Sequence, residues 1–426
     1  MSKTFQTPKG TRDILPVEMR TRRAVFDRLR RYFELYGFDE LDTPAFEYLE
    51  VLTLKSGPAA EKEIYAFDDK AGRRLGLRFD LTSSTGRLAA AHAELPRPIY
   101  RYQIGKVWRY DNVQAGRYRE FYQADADILG SYSSDCEVEL LLMATEVLRG
   151  FDLPEYRLLI NNRKILDAQV RLSGIPPEQK PDALRGLDKL HKIGKDGVRD
   201  EFVKYGLSEK QFEDFFANVV VESLDDVEKR VAGDETGARG VAELREIFAK
   251  AGRLGIGDKL HFDWTLVRGL DYYTGPIFEA HAKSEAGFGS FAGGGRYDDL
   301  IGLYGGQAQG AVGISFGVER LIGLIEERGG AKDLGAQPLL VAALDAERVE
   351  TAQKLALALR RAGVAARFAG VAKKDKIFKY STAAALPKLV LVGEEEARSG
   401  VFALRDAESR QERRLTEAEL IAALSR

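Results

Sequence analysis

The sequence predicts an α+β chain in three parts, and three observations carry that expectation. Residues 97–130 hold two long β-type runs, RPIYRYQIGKVWRY and REFYQADADILG, and strand patterns resume after residue 258. From about 168 to 258 the chain is charged and helical in period, with few β-branched runs. From 338 onward strand and helix patterns alternate, as in a small α/β domain.

Taken in order, residues 17–36 read as an amphipathic helix, with Val25, Leu29, Phe33 and Tyr36 on one stripe and Gly37 as its stop. FDELDTPAFEY is a strand interrupted by Pro44, which suits an edge or an interface because proline has no N–H for a ladder. Residues 64–80 alternate around a turn and predict a hairpin. Beyond the 97–130 pair, Ser134 and Glu137 stand at capping-box spacing before a helix through Leu148, which Gly150 and Pro154 close. Thr82 is a candidate cap for the helix SSTGRLAAA. YRLLINN is a strand, and the stretch 168–258, broken at Pro176 and Pro177, is an inserted helical domain. Three further β-containing segments follow: KLHFDWTLVRGLDYYTGPIFEAHAK, FAGGGRYDDLIG and AVGISFGVERLIGLI. EERGGAKDLGAQ reads as a linker. The remainder gives strand PLLVAAL, a helix to Arg361, strand VAARF, helix 373–385, strands KLVLVG and VFALRD, and helix 416–424. The expected boundaries are a body at 1–325 interrupted by the 168–258 insertion, a linker at 326–337 and a final domain at 338–426.

Composition removes several classes of function. No apolar run reaches 18 residues, so no membrane span is expected. MSKTFQTPKGTRDILP lacks the apolar core of a secretory signal. One cysteine, Cys136, and four scattered histidines make neither a disulfide nor a structural zinc site, and a reducing cytoplasm is the expected setting. A formal charge of -2 argues against indiscriminate polyanion binding, although a sum says nothing about segregation.

Segregation is what the sequence shows. Between 101 and 119 five basic residues (Arg101, Lys106, Arg109, Arg117, Arg119) face one acid, Asp111. Arginines in a strand–loop–strand present planar donors that match phosphate oxygens. Phe121, Tyr122 and Gln123 follow, then the paired acids Asp125 and Asp127, so groups suited to phosphate, a base and an amine are adjacent. No GxxxxGK(S/T), GxSxG or HExxH is present, and the degenerate glycine pattern GFGSFA runs into GGGRYDD where a helix should begin. The residues alone therefore indicate an anionic substrate.

The motifs go further. GKVWRYDNVQAGRYREFYQADADI resembles motif 2 of the class II aminoacyl-tRNA synthetases, in the form found in the histidyl-tRNA synthetase family. LVRGLDYYTGPIFEA and AGGGRYDDLIG resemble the two signature segments of that family, AVGISFGVERL resembles motif 3, and ELYGFDELDTPAFE resembles motif 1 around Pro44. LRFDLT is similar to the family's amino-acid-binding segment, with Asp80 where many bacterial members carry Glu. The resemblance covers nearly the whole chain, and its segments stand in family order.

That resemblance implies a class II antiparallel-sheet catalytic domain with a helical insertion, an α/β anticodon-binding domain, and ATP-dependent charging of tRNA(His) with L-histidine. It implies ATP as substrate with magnesium, no zinc, a homodimer formed around Pro44 and no membrane partner. Arg109 would bind the α-phosphate, and Arg268 would contact both that phosphate and the substrate carboxylate. Arg117 and Arg320 would hold the γ-phosphate and the adenine side, with Phe121 and Arg320 on opposite faces of the base and Asp111 near its amine. Asp80, Thr82 and Gln123 would take the α-ammonium group, Asp127 and Tyr273 the imidazole nitrogens, and Tyr272 would wall the pocket. The glycines of 293–295 would admit the bound amino acid close to the backbone. Gln114 would lie near the tRNA acceptor end.

From Arg360 to Lys388 eight basic residues face one acid, Asp375, and Lys373, Lys374, Lys376 and Lys379 are the expected tRNA contacts. His92, His191, His261 and His281 match no motif and read as structural or surface residues. Read alone, the Tyr272–Tyr273 pair would be core aromatics. The alternative to a charging enzyme is a synthetase-like regulatory subunit of ATP phosphoribosyltransferase. Such proteins usually lack the tail domain and the RGLDYY signature, and this chain has both.

Overall fold

The computed structural model describes residues 5–425 apart from 56–57, 111, 114–116, 154, 269–271, 283–288, 329–336, 408 and 410, and apart from the side chains of 58–60. Asp111, Gln114, Pro154 and most of the expected linker lie outside the described residues. The chain divides into two compact units, 1–13 with 25–331 and 14–24 with 332–426.

In the first unit, the second half of α1 (Pro16–Leu35) buries Val25, Leu29 and Phe33 completely. Gly37 ends the helix at φ 77°, a left-handed conformation that glycine adopts without a Cβ clash, and Phe38 N–H donates back to the Phe33 carbonyl at 3.0 Å. Strands β1 (Asp39–Glu40) and β2 (Phe46–Tyr48) flank Pro44 and belong to different sheets. The proline thus marks a change of sheet as well as an edge. Helix α2 (Leu49–Thr53) leads to the expected hairpin, β3 (Ala66–Asp68) and β4 (Arg74–Leu77), which with β2 forms a three-stranded sheet. Helix α3 (Thr82–Ala91) precedes the long antiparallel pair β5 (Ile99–Trp108) and β6 (Glu120–Leu129).

Helix α4 (Asp135–Gly150) follows, but its expected capping box does not form. Ser134 makes no cap, and its hydroxyl accepts from Lys250 Nζ at 2.9 Å. Glu137 is buried instead beneath Arg296, which donates through Nε and Nη2 to its two oxygens at 2.6 Å each. The tertiary ion pair outcompetes the local cap because a buried carboxylate needs a cation.

After β7 (Tyr156–Asn162), helices α5 (Arg163–Leu172), α6 (Lys180–Asp188), α7 (Leu190–Lys204), α8 (Glu209–Val219), α9 (Leu224–Val231) and α10 (Glu235–Arg253) form the insertion. Its starts follow side-chain capping: Asn162, Ser208, Ser223 and Asp234 each accept a backbone N–H from the first turn of α5, α8, α9 and α10. Leu166, Phe202, Phe212 and Phe215 from these helices share one apolar cluster with Val267, Tyr273 and Ile277. The helices therefore buttress the segment that carries the two adjacent tyrosines.

Strands β8 (Leu260–Phe262), β9 (Pro276–Ala282), β10 (Ser290–Arg296) and β11 (Ala311–Gly317), with α11 (Leu300–Leu303) and α12 (Val318–Glu327), complete the unit. The eight-stranded sheet runs β1-β5-β6-β11-β10-β9-β7-β8, antiparallel except at its two edge pairs. On one face Tyr102 and Phe316 meet Phe33 of α1, with ring centroids 5.2 and 6.1 Å away. The other face carries the polar side chains.

The second unit holds a five-stranded sheet, β13-β12-β14-β15-β16, from β12 (Leu339–Ala343), β13 (Ala366–Val371), β14 (Lys388–Val392), β15 (Val401–Asp406) and β16 (Glu412–Thr416). Helices α13 (Val349–Arg361), α14 (Lys374–Ala383), α15 (Glu394–Ser399) and α16 (Glu417–Leu424) accompany it. Leu339, Val341 and Ala343 join one cluster with Leu355 and Leu420, and Leu340 and Ala342 join another with Ile377. Strand β12 is thus apolar on both sides, as a covered parallel strand requires. Lys373, Lys374, Lys376 and Lys379 are all exposed, with Ile377 on the buried side of α14.

Replacing Glu137 by Ala leaves Arg296 charged and buried, and is expected to cost about 3–5 kcal/mol in urea unfolding. Exchanging both residues for Met should recover much of that loss. A loss below about 1 kcal/mol for Glu137→Ala would contradict the tertiary role assigned to the pair.

Candidate active site

Alternate residues of a strand share a face, and pairing extends each position into a row across the sheet. One row reads Arg101, Asp127, Gly313 and Gly295 across β5, β6, β11 and β10. The next reads Gln103, Asp125, Ser315, Gly293 and, on β9, Glu279. A third holds Gly105, Gln123 and Gly317. Charged residues stand on β6 and glycines opposite them, so the sheet itself forms the floor of a cavity of about 490 Å³. That volume suits an organic ligand.

Buried carboxyls line the cavity. Lys55 Nζ donates to Asp80 Oδ2 at 2.7 Å with both side chains buried, and sits 4.1 Å from the Tyr272 ring centroid. Burial opposes the charge on Asp80, but Lys55, the Ser83 N–H and Arg109 outweigh it and hold the carboxyl below the usual carboxylate range. Asp80 also accepts from the Ser83 N–H and hydroxyl, each at 3.0 Å. It therefore does the capping expected of Thr82, which is the first residue inside α3 and lines the cavity. Asp127 pairs with buried Arg101 and accepts from the Tyr297 hydroxyl. Burial pushes its carboxyl up, against the pull of those two partners. Tyr272 and Tyr273 stack with centroids 4.6 Å apart and also face the cavity.

Arg109, Arg117, Arg268 and Arg320 line the same cavity, and the first three all act electrostatically on Arg320. Arg109 donates to the Phe79 carbonyl at 2.8 Å and to Gln123 Oε1 at 3.4 Å, and its guanidinium lies 5.2 Å from the Phe121 ring centroid. Arg320 donates to the Ser290 carbonyl, and Phe121 lines the cavity with it. Burial lowers the pKa of Arg320 against the attraction of Glu279, with smaller contributions from Arg117, Arg109 and Arg268.

Arg268 adopts φ 62°, a conformation that costs a non-glycine residue about 1 kcal/mol or more. That backbone sends its side chain into the cavity, where Nη1 donates to Glu279 Oε1 at 2.9 Å and Nη2 to the Tyr273 hydroxyl at 3.4 Å. A Cβ at residue 293 would stand 1.8 Å from Arg268 Nη1, and one at 313 would stand 1.8 Å from Asp127 Oδ1. Gly293 and Gly313 thus make room for the site's own side chains.

The structure brings Asp80, Thr82, Gln123, Asp127, Tyr272 and Tyr273 to the same cavity as Arg109, Arg117, Phe121, Arg268 and Arg320. Lys373, Lys374, Lys376 and Lys379 belong to the second unit. Sequence reasoning missed Lys55, Glu279 and Tyr297. Glu279 lies within the PIFEA segment and Tyr297 within GGGRYDD, so a period-two reading of those strands could have found them. Lys55 stands just after α2, and nothing local marks it. His281, read as ordinary, lies 2.8 Å from Glu279 and steadies the acceptor of Arg268. Asp188, at the exposed end of α6, joins the lining and brings the helical insertion to the site.

Residues 10–321 match the family model described as histidyl-tRNA synthetase, and 339–426 match the anticodon binding domain. A histidine–tRNA ligase from Thermococcus kodakarensis is 35% identical over 418 residues, 95% of this chain and 94% of the relative. One from Porphyromonas gingivalis is 37% identical over 431 residues, 94% of each. The crystal structure of histidyl-tRNA synthetase from Nostoc sp. PCC 7120 superposes with a TM-score of 0.84 at 28% identity, covering 99% of both chains. With a cavity lined by carboxyls and arginines on an eight-stranded sheet, and with these matches along nearly its whole length, the chain belongs to the histidyl-tRNA synthetase family.

Proposed function

We propose that the protein activates L-histidine with ATP to histidyl-adenylate and pyrophosphate, then transfers histidine to the 3′ end of tRNA(His). The observation that carries the reading is one cavity that gathers three carboxyls acting on one another, Asp80, Asp125 and Asp127, together with four arginines. Histidine presents an ammonium group and a ring N–H to acceptors, and its carboxylate toward the phosphates of ATP. The family's curated members, named histidine–tRNA ligases, support the same activity. The complete Arg268–Tyr272–Tyr273 set and the tail domain weigh against the regulatory-subunit alternative.

In the first step a histidine carboxylate oxygen attacks the α-phosphorus, the new P–O bond forms, and the bond to the β-phosphate oxygen breaks to release pyrophosphate. The nucleophile is already ionised, so no side chain has to remove a proton. Arg109 and Arg268 meet the charge that builds on the α-phosphate, while Arg117 and Arg320 hold the γ-phosphate and adenine side, with Phe121 against the base. Asp80, Thr82 and Gln123 take the ammonium; Asp127 and Tyr273 take the ring, with Tyr272 as wall. In the second step the terminal ribose hydroxyl of the tRNA attacks the acyl carbon and AMP leaves. Magnesium would come with ATP, bound through the phosphates with few dedicated protein ligands.

Residues 1–325 are assigned to catalysis, with the insertion at 168–258, the linker at 326–337 and the tRNA-reading domain at 338–426. Asp111 would stand near the adenine amine and Gln114 near the acceptor end. Exposed Phe46, Tyr48 and Phe67 beside Pro44 favour a homodimer contact on the three-stranded sheet. The unpaired, buried Cys136 suits the cytoplasm, and no helix among the described residues is long and apolar enough to cross a membrane.

Histidine-dependent ATP–pyrophosphate exchange, followed by charging of a tRNA(His) transcript, tests the reading. Arg268→Ala should fold normally and lower exchange by about a hundredfold or more; near-normal exchange removes Arg268 from the mechanism. Changing Lys373, Lys374, Lys376 and Lys379 together to Ala should weaken tRNA binding without altering exchange. The salt dependence should flatten by about one in slope for each phosphate left without its lysine. An unchanged slope would reject this face as the tRNA-binding surface.

A further inference from the structure

Asp125 occupies the centre of the polar face and has no part in the proposed reaction. It is 3% exposed, lines the cavity between Gln123 and Asp127, and its Oδ1 finds no hydrogen-bond partner among the described residues. A buried acceptor without a donor is costly, and a ligand that supplies the donor removes that cost.

Charge pairing around it is unequal. Asp127, on the same strand, holds Arg101 of β5 and the Tyr297 hydroxyl. Asp80, ahead of α3, holds Lys55. Arg78 is committed to the carbonyls of Lys106 and Thr43 at 2.9 and 2.6 Å. On the flanking strands Gln103 donates to Asp42 at 2.7 Å, and Ser315 accepts from Gln123 at 2.6 Å. Asp80 and Asp127 thus each have a paired cation, whereas Asp125 makes no ion pair among the described residues and feels Arg101, Lys55 and Arg78 only at longer range.

We propose that Asp125 is a further acceptor for the α-ammonium group of the substrate, which supplies the donor that its Oδ1 lacks. The proposal rests on the histidine-activating reading and adds a residue to it. An ammonium is the fitting ligand because it brings both a donor and a charge to a carboxyl that has no ion pair of its own, and because Asp80 and Gln123 line the same cavity. Burial, helped by repulsion from Asp127 and Asp80 and opposed by Arg101 and Ser315, pushes the Asp125 carboxyl up to about 7. The empty pocket therefore holds it partly protonated at neutral pH. Binding exchanges that proton for the ammonium: the carboxylic acid releases H⁺ to solvent, and the carboxylate accepts an N–H from the substrate. Affinity for the cationic substrate should fall as pH drops below 7, because the proton then competes.

Asp125→Asn keeps the shape and removes the charge. In ATP–pyrophosphate exchange it should raise KM for histidine about tenfold or more and leave KM for ATP unchanged. Inhibition by imidazole-4-propionate, which has the ring and carboxylate without the ammonium, should be the same in both proteins. Calorimetric titration of the parent protein with histidine at pH 7, in buffers of different ionisation enthalpy, should show release of roughly half a proton that the Asn variant lacks. An unchanged histidine KM, an equal loss for imidazole-4-propionate, or no proton release from the parent would each overturn the proposal. Should the Asn variant not fold, Asp125→Ser takes its place in the same three measurements, with the same outcomes deciding. A parent protein that neither binds nor activates histidine defeats the underlying reading, whereas an active parent with an indifferent Asn variant defeats the role of Asp125 only.

Discussion

A charge taken out of water must be met by a partner, and the polar face of the eight-stranded sheet is organised around that requirement. Asp80, Asp127 and Glu279 are each brought beside a named cation, Lys55, Arg101 and Arg268. Those partners come from β5, from the turn after α2 and from the segment before β9. The pairs therefore tie distant stretches of chain to one surface. Ion pairs of this kind contribute little net stability against an apolar core, but breaking one is severe. What they provide is a surface whose charges are already oriented before a ligand arrives, the condition under which electrostatics accelerates a reaction.

Space for those charges comes from glycine. Beside Asp127 and Arg268 the neighbouring strands carry Gly313 and Gly293, and any Cβ there would overlap the functional side chain. Opposite that face the alternation reverses: Tyr102, Ala124, Ala126, Ile128 and Phe316 are fully buried. One strand thus serves both packing and chemistry through its period of two. The helical insertion supports the same site from outside the sheet. Its phenylalanines share a core with Tyr273, and Asp188 lies at the cavity.

Much of this was legible in the sequence. Long strands with alternating patterns, the stripe on α1 and the apolar strands of the second unit reflect burial, which sequence pattern records directly. The arginines and Asp80, Gln123 and Asp127 were recognisable through their motifs. Local rules failed where tertiary charge pairing overrode them. Ser134 and Glu137 have capping-box spacing, yet Glu137 is held by Arg296, 159 residues away. Lys55 pairs with Asp80 across 25 residues, and no local spacing encodes that. Strand β16, ERRLT, was missed because an exposed edge strand needs no apolar alternation, and α15, EEEARS, because a six-residue polar helix has no apolar stripe.

The central claim is that two sets of side chains in one cavity divide the substrates: carboxylates take the cationic groups of histidine, and arginines take the phosphates. A crystal structure with histidine and a non-hydrolysable ATP analogue tests it most directly. The account predicts the histidine ammonium within hydrogen-bonding distance of Asp80, its ring N–H at Asp127 or Tyr273, and the α-phosphate between Arg109 and Arg268. Histidine bound in the reverse orientation, or phosphates seated away from both arginines, would contradict it.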